Sequence, residues 1–172
     1  MYTVKIDDDV VQTALRRLSE GMDDLTAPMN QIGFALVASS KSRIDQGLSP
    51  DGTPFAPRSP ATLKAYEKRK VVPKGGPLKL TGEMQQEIFH EAGTDFVEVG
   101  SNAIQSAVMQ MGAEQGAFGA FIGKDKLGRD HFHSIPWGNI PARPFLGVSE
   151  DDRSVIQDTV EVWIASLADG TD

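Results

Sequence analysis

Residues 140–152, IPARPFLGVSEDD, restrict the backbone more than any other part of the chain. Pro141 and Pro144 bracket Ala142 and Arg143. Each proline ring fixes its own φ and disfavours helix in the residue before it, so residues 140–144 form a stiff, extended ribbon. Phe145 and Leu146 follow as apolar anchors, and Gly147 permits a bend at positive φ. Ser149 is placed to cap a helix whose first turn holds Glu150, Asp151 and Asp152, the charge that a helix start favours. Arm, anchor, bend and helix start form one unit. A stiff arm presenting an arginine suits a part that docks against other parts better than one that performs chemistry.

The rest of the chain sets the frame for that arm. At 172 residues it is long enough for one domain with a real core and too short for two ordinary ones, so residues 1–172 are read as a single domain. Hydrophobic residues make up 40% and charged residues 24%, the balance of a globular protein. The net charge of −7 argues against DNA or an anionic membrane as the main partner, while leaving room for a local basic patch. The absence of cysteine excludes disulfides, thiol nucleophiles and thiolate-bound metal, and fits a reducing compartment. No apolar run reaches membrane-spanning length. The opening residues, MYTVKIDDD, lack a signal pattern, so the protein is expected to act without a secretory route and without a membrane partner.

Periodicity supplies the elements. Residues 2–6 alternate like a short strand. A helix follows in which Val10, Val11, Ala14, Leu15 and Leu18 share a face, ended by Gly21. A second helix is expected over 27–46 with the stripe Met29, Ile32, Gly33, Leu36, Val37, Ser40 and Ile44, stopped by Gly47. Residues 48–80 hold six prolines and read as a long extended loop, with room for one short helix near 60–70. A hairpin spans about 83–100, turning at Gly93 and Thr94. Residues 103–111 recur at helical spacing up to Gly112, and 113–139 form a second long, glycine-rich loop. The last helix carries Val155, Ile156, Thr159, Val160, Trp163, Ile164 and Leu167 as an apolar stripe, read as core, with Trp163 as the member that could serve an interface. Strands and helices are partly segregated, so the class is α+β: a small antiparallel sheet around the hairpin, packed by long N-terminal and C-terminal helices.

Four segments carry a family likeness. They are SPDGTPFAP at 49–57 with SPAT at 59–62; LKLTG at 78–82; VEVG at 97–100 with QMGAEQG at 110–116; and IPWGNIPARPFLG at 135–147. In this order and spacing the chain resembles the phage virion morphogenesis family, the tail-completion proteins of Mu-like and P2-like phages. Met111 departs from the pattern, standing where an aromatic residue is expected ahead of the glycine. The resemblance implies a virion structural or assembly protein rather than an enzyme, without cofactor or catalytic residues. It would act at the head–tail junction as a tail-completion or neck protein, assembled in the host cytoplasm. Implied partners are copies of itself, in a ring-forming homo-oligomer, and neighbouring neck, connector, tail-terminator or tail-tube proteins, with packaged DNA within reach. Candidate partner contacts are Pro141, Arg143, Pro144, Phe145 and Leu146 on the arm, with Trp137, Phe118 and Phe121 before it.

Several residue patterns invite a chemical reading. Asp130, His131 and His133 form D-H-x-H, whose two imidazoles would face one side of an extended strand and could reach one metal, as in a metal-dependent hydrolase. Third and fourth ligands are not evident, and a polar loop near an interface is the simpler account. Pro50, Asp51 and Gly52 read as a turn rather than a phosphate or calcium loop, because the Gly-Lys-Ser/Thr and the acidic repeat are both missing. Lys64, Lys68, Arg69, Lys70 and Lys74, with Lys79 beyond them, concentrate positive charge in an acidic chain. A solvated face explains them, and contact with DNA or an acidic neighbour is the sharper alternative. Arg143 is expected to pair with a carboxylate, either on a neighbouring subunit or at Asp151 or Asp152.

Overall fold

The computed structural model of the chain describes residues 9–117, 119–124, 127–134 and 139–170. The strand expected at 2–6, Phe118 and Trp137 lie outside these residues, as do the side chains of Phe121, His131 and His133. The elements are α1 (Asp9–Gly21), α2 (Thr26–Gln46), α3 (Pro60–Arg69), α4 (Glu83–Gln86), β1 (Ile88–Ala92), β2 (Val97–Ser101), α5 (Ser106–Met111), β3 (Ala120–Lys124), β4 (Asp130–Ser134) and α6 (Glu150–Asp169). The class is α+β, with a two-stranded antiparallel sheet from β1 and β2, as read from the sequence. Residues group into two compact units: Met1–Ser39, Phe89–Gly100 and Val148–Asp172 in the first, Ser40–Ile88 and Ser101–Gly147 in the second.

In the first unit, Asp24 accepts the Thr26 N–H at 2.9 Å and opens α2. The hydrogen bonds from Thr26 hold the Asp24 carboxyl below its ordinary range. The expected stripe of α2 lies inward, with Ile32 and Leu36 buried. Gly33 is needed there because the His90 ring occupies the space a Cβ would fill. That ring meets Phe34 edge to face, 4.5 Å between centroids, and shares a 2.7 Å hydrogen bond with Asn30.

Ser149 caps α6 as expected. Its Oγ accepts from Asp152 N at 3.2 Å, and Asp152 Oδ2 accepts from Ser149 N at 2.8 Å, closing a capping box. The stripe of α6, read as core, is only half covered. None of its apolar side chains is buried, and Val155 and Val162 are 43% and 70% exposed. The helix it packs on, α1, also buries none, leaving Val10, Val11 and Leu15 exposed. Periodicity marks which face of a helix is apolar, and a two-helix seam is too narrow to cover such a face.

The hairpin starts later than its sequence suggests. Residues 83–86 form one helical turn, with Gln86 N donating to Gly82 O at 3.2 Å and Glu87 N to Glu83 O at 3.1 Å. Gly82 reaches φ +91 to start this turn, and Met84 is buried beneath it. The strand signal begins only at Ile88, whose side chain is also buried.

In the second unit, the proline-rich segment 48–80 contributes buried side chains that no periodicity announces. Phe55 and Leu78 are buried, as are Ile44, Met84, Ile88 and Phe145 of the same unit. Backbone hydrogen bonds tie the segment down: Phe55 N to Gly47 O at 2.7 Å, Lys74 N to Leu80 O at 3.0 Å and Gly75 N to Lys79 O at 3.0 Å. Prolines removed the periodic signal but not the burial. The short helix expected near 60–70 is α3, capped by Ser59 and ended by Lys70 in the left-handed region. The stretch 113–139 is not wholly irregular either, since β3 and β4 pair antiparallel within it, Ala120 opposite Ser134 and Lys124 opposite Asp130.

Candidate functional site

The second unit is organised around the proline-bracketed arm. Helix α2 ends in Ser40, Arg43 and Ile44, all buried. Gly47, at φ +75, closes the helix through its N–H to Arg43 O at 2.8 Å. The chain then makes the tight loop 49–57. Ser49 N donates to Thr53 O at 2.8 Å, Gly52 N to Ser49 O at 2.9 Å, and Thr53 N to Asp51 Oδ1 at 3.0 Å. This is the turn expected at Pro50, Asp51 and Gly52. The Thr53 N–H and hydroxyl hold the Asp51 carboxyl below its ordinary range.

The arm lies against α5 and the residues after it. Ala113 and Ile140 exchange two backbone hydrogen bonds of 2.9 and 2.8 Å, and Arg143 N donates to Met109 O at 2.7 Å. Gly112, at φ +76, allows the approach: a Cβ there would stand 2.7 Å from Ile140 O and 2.9 Å from Ala142 N. Gln110 acts as a bracket. Its Oε1 accepts from Phe145 N at 3.0 Å and Leu146 N at 3.1 Å, and its Nε2 donates to Leu146 O at 2.9 Å. One side chain thus satisfies three backbone groups that an irregular arm would otherwise leave unpaired.

Two arginines complete the clasp. Arg43 donates from Nε to Phe145 O at 3.2 Å and from Nη2 to Gly147 O at 2.8 Å and Ser40 Oγ at 2.9 Å. Arg143 points the other way, into the 49–57 loop. It donates from Nε to Ala56 O at 2.7 Å, from Nη2 to Pro57 O at 2.9 Å and from Nη1 to Pro141 O at 3.3 Å. Within the chain, Arg143 thus donates to backbone carbonyls rather than to Asp151 or Asp152. Its rigid flanks aim the guanidinium fork inward, where it is 6% exposed and the carbonyls of a proline-rich loop have no N–H to pair with. Burial first, and the Arg58 charge second, pull the Arg143 guanidinium below its ordinary value. Phe145, read as a partner contact, is fully buried between these groups, and Pro144 and Leu146 are half-buried. Sequence reasoning missed Arg43, which sits inside a regular helix and carries no local signature, and gave Gln110, the first residue of the QMGAEQG segment, no role.

The outer edge of the arm remains open. Pro141 and Ala142 are exposed, and with Met111, 76% exposed, they rim a shallow cleft of about 380 Å³. A second, apolar cleft of about 530 Å³ lies between the 49–56 loop and Ala142 and Pro144. The basic residues of the sequence reading are exposed: Lys64, Lys68 and Arg69 on α3, Lys70 at its end and Lys74 beyond. Lys79 differs, forming an ion pair with Asp45 that, with a hydrogen bond from Gln85, holds the Asp45 carboxyl below its ordinary range. Asp130 pairs with Lys124 across β3 and β4. Its supposed metal partners, the His131 and His133 side chains, are outside the described residues. Among the described residues no group of three acidic or histidine side chains could hold a metal, and no helix is long and apolar enough to cross a membrane.

Comparison with protein families gives one match: the model of the phage virion morphogenesis family aligns with residues 6–165, which include the arm, the loop at 49–57 and both arginines. No curated protein and no solved structure matches the chain.

Proposed function

The chain belongs to the phage virion morphogenesis family and has a role in virion assembly; from that premise we propose that it completes the head–tail junction, as a tail-completion or neck protein, by self-association and by docking to neighbouring virion proteins. The observation that carries the reading is the clasped arm. Arg43, Gln110 and Arg143 fix residues 140–147 from within, so the exposed edge at Met111, Pro141 and Ala142 is offered in one conformation. A preorganised edge binds without first having to be ordered, which suits a part added to a growing particle. The action is by shape and contact, and no catalytic step is assigned to any residue.

The test separates edge from clasp. Met111→Glu and Ala142→Glu place a charge on the exposed edge and touch none of the clasp hydrogen bonds. Each is expected to leave folding stability within about 0.5 kcal/mol. Together they should lower the yield of joined, infectious particles at least tenfold in a complementation assay, with the oligomer mass of the purified chain reduced. Normal particle yield from the folded double variant would remove the arm edge from the interface.

A further inference from the structure

Arg58 and Arg143 share a cavity of about 310 Å³ with the Ser59 and Thr62 hydroxyls, Tyr66 and Asn139. The Arg58 charge is one of the two causes that pull Arg143 below its ordinary value, and among the described residues no acidic side chain lines the space. Neither forms an ion pair among the described residues. Their hydrogen bonds go to neutral groups: Arg58 to Gly75 O and Gly76 O, Arg143 to Ala56 O, Pro57 O and Pro141 O. Arg58 also stands over the Tyr66 ring at 5.8 Å, and its buried Nε has no hydrogen-bond partner. Two positive charges in a half-enclosed cavity, bonded only to carbonyls and to the Met109 sulfur, leave a site whose potential is unbalanced. Such a pair is stabilised most by an anion that both can face.

We propose that this cavity is a carboxylate-binding site, filled on assembly by an aspartate or glutamate side chain of an adjoining protein chain. The site rests on the geometry above; only its partner rests on the assembly reading. The choice of a carboxylate follows from charge and from the donors that remain. Arg58 and Arg143 each keep guanidinium N–H groups that no carbonyl takes, and the Ser59–Thr62 hydroxyl pair, 2.8 Å apart, spends one hydrogen on its own bond and has one left to donate. With 24 acidic against 17 basic residues, a second copy of this chain presents such groups in excess, whereas a polyphosphate surface is repelled by the net charge of −7.

The experiment follows the Nε–H resonances of Arg58 and Arg143 in the free protein while acetate replaces chloride at constant ionic strength. Both resonances are expected to shift along one saturable curve. The half-saturating acetate concentration should rise at least threefold in Thr62→Val, and Arg58→Gln should abolish saturation. Linear shifts that chloride reproduces would overturn the proposal, as would saturation by inorganic phosphate but not by acetate. Because the titration needs no assembled particle, it stands or falls independently of the particle yields of the Met111 and Ala142 variants.

Discussion

Phe145→Ala is expected to lower the free energy of unfolding by about 3–5 kcal/mol, the range for emptying an aromatic site in a packed core. The ring is fully buried, and the backbone on either side of it is fixed from two directions, by Gln110 at its N–H and by Arg43 at its carbonyl. Neighbouring side chains therefore cannot collapse into the space, which puts the effect toward the upper end. Against a total stability of roughly 5–15 kcal/mol, a loss of this size removes much of the margin. Urea unfolding should show a lower midpoint with an unchanged slope. Pro141→Ala, on the same arm but with an exposed side chain and its carbonyl still able to accept from Arg143, should cost about 1 kcal/mol or less, chiefly by loosening the unfolded chain. A loss below about 1 kcal/mol for Phe145→Ala would mean that the arm is not part of the core.

Arg143→Ala is expected to have a similar effect, about 3–5 kcal/mol, for a different reason. It orphans the carbonyls of Ala56 and Pro57, which the donor-poor loop cannot pair otherwise, and hydrogen bonds to a charged group contribute about 1.5–3 kcal/mol each. Arg143→Lys should recover less than half, because an ammonium is a point charge and cannot span two carbonyls as the fork does. This revises what the sequence suggests. Read from the sequence, Arg143 is a candidate partner contact; its hydrogen bonds to Ala56 O and Pro57 O make the first expected effect of its loss one on the fold. Equal stability of Arg143→Ala and the parent chain, by the same unfolding measurement, would show that the clasp contributes nothing.

What was legible in the sequence was local. Ser149 with three acids after it gives the cap of α6, Pro60 after Ser59 gives the start of α3, and Gly47 gives the end of α2. These depend on residues within one turn of each other, which is the reach of capping and turn chemistry. Three of the segments that carry the family likeness are ones the clasp joins: the 49–57 loop, the 110–116 stretch through Gln110, and the 140–147 arm. What was not legible was which segments meet. Arg43 and Phe145 are 102 positions apart, and nothing near Arg43 marks it as the partner of an arm. Nor does helical spacing show what covers a helix face, which is why the α6 stripe reads as core yet lies half open. In the segment 48–80 the short helix was legible and the anchors were not. Six prolines erase periodicity, while Phe55 and Leu78 anchor the chain singly rather than in a pattern.

The central claim is that the arm is built and held within one chain, before any partner arrives, so that assembly uses a ready-made edge. Amide hydrogen exchange on the purified chain, at a concentration where its mass is that of a monomer, tests this directly. The account predicts slow exchange at Phe55, Arg143, Phe145 and Leu146, whose N–H groups are bonded to Gly47 O, Met109 O and Gln110 Oε1. Exchange of these four amides at the rate of an unfolded chain in the monomer, with protection only in the assembled particle, would contradict it.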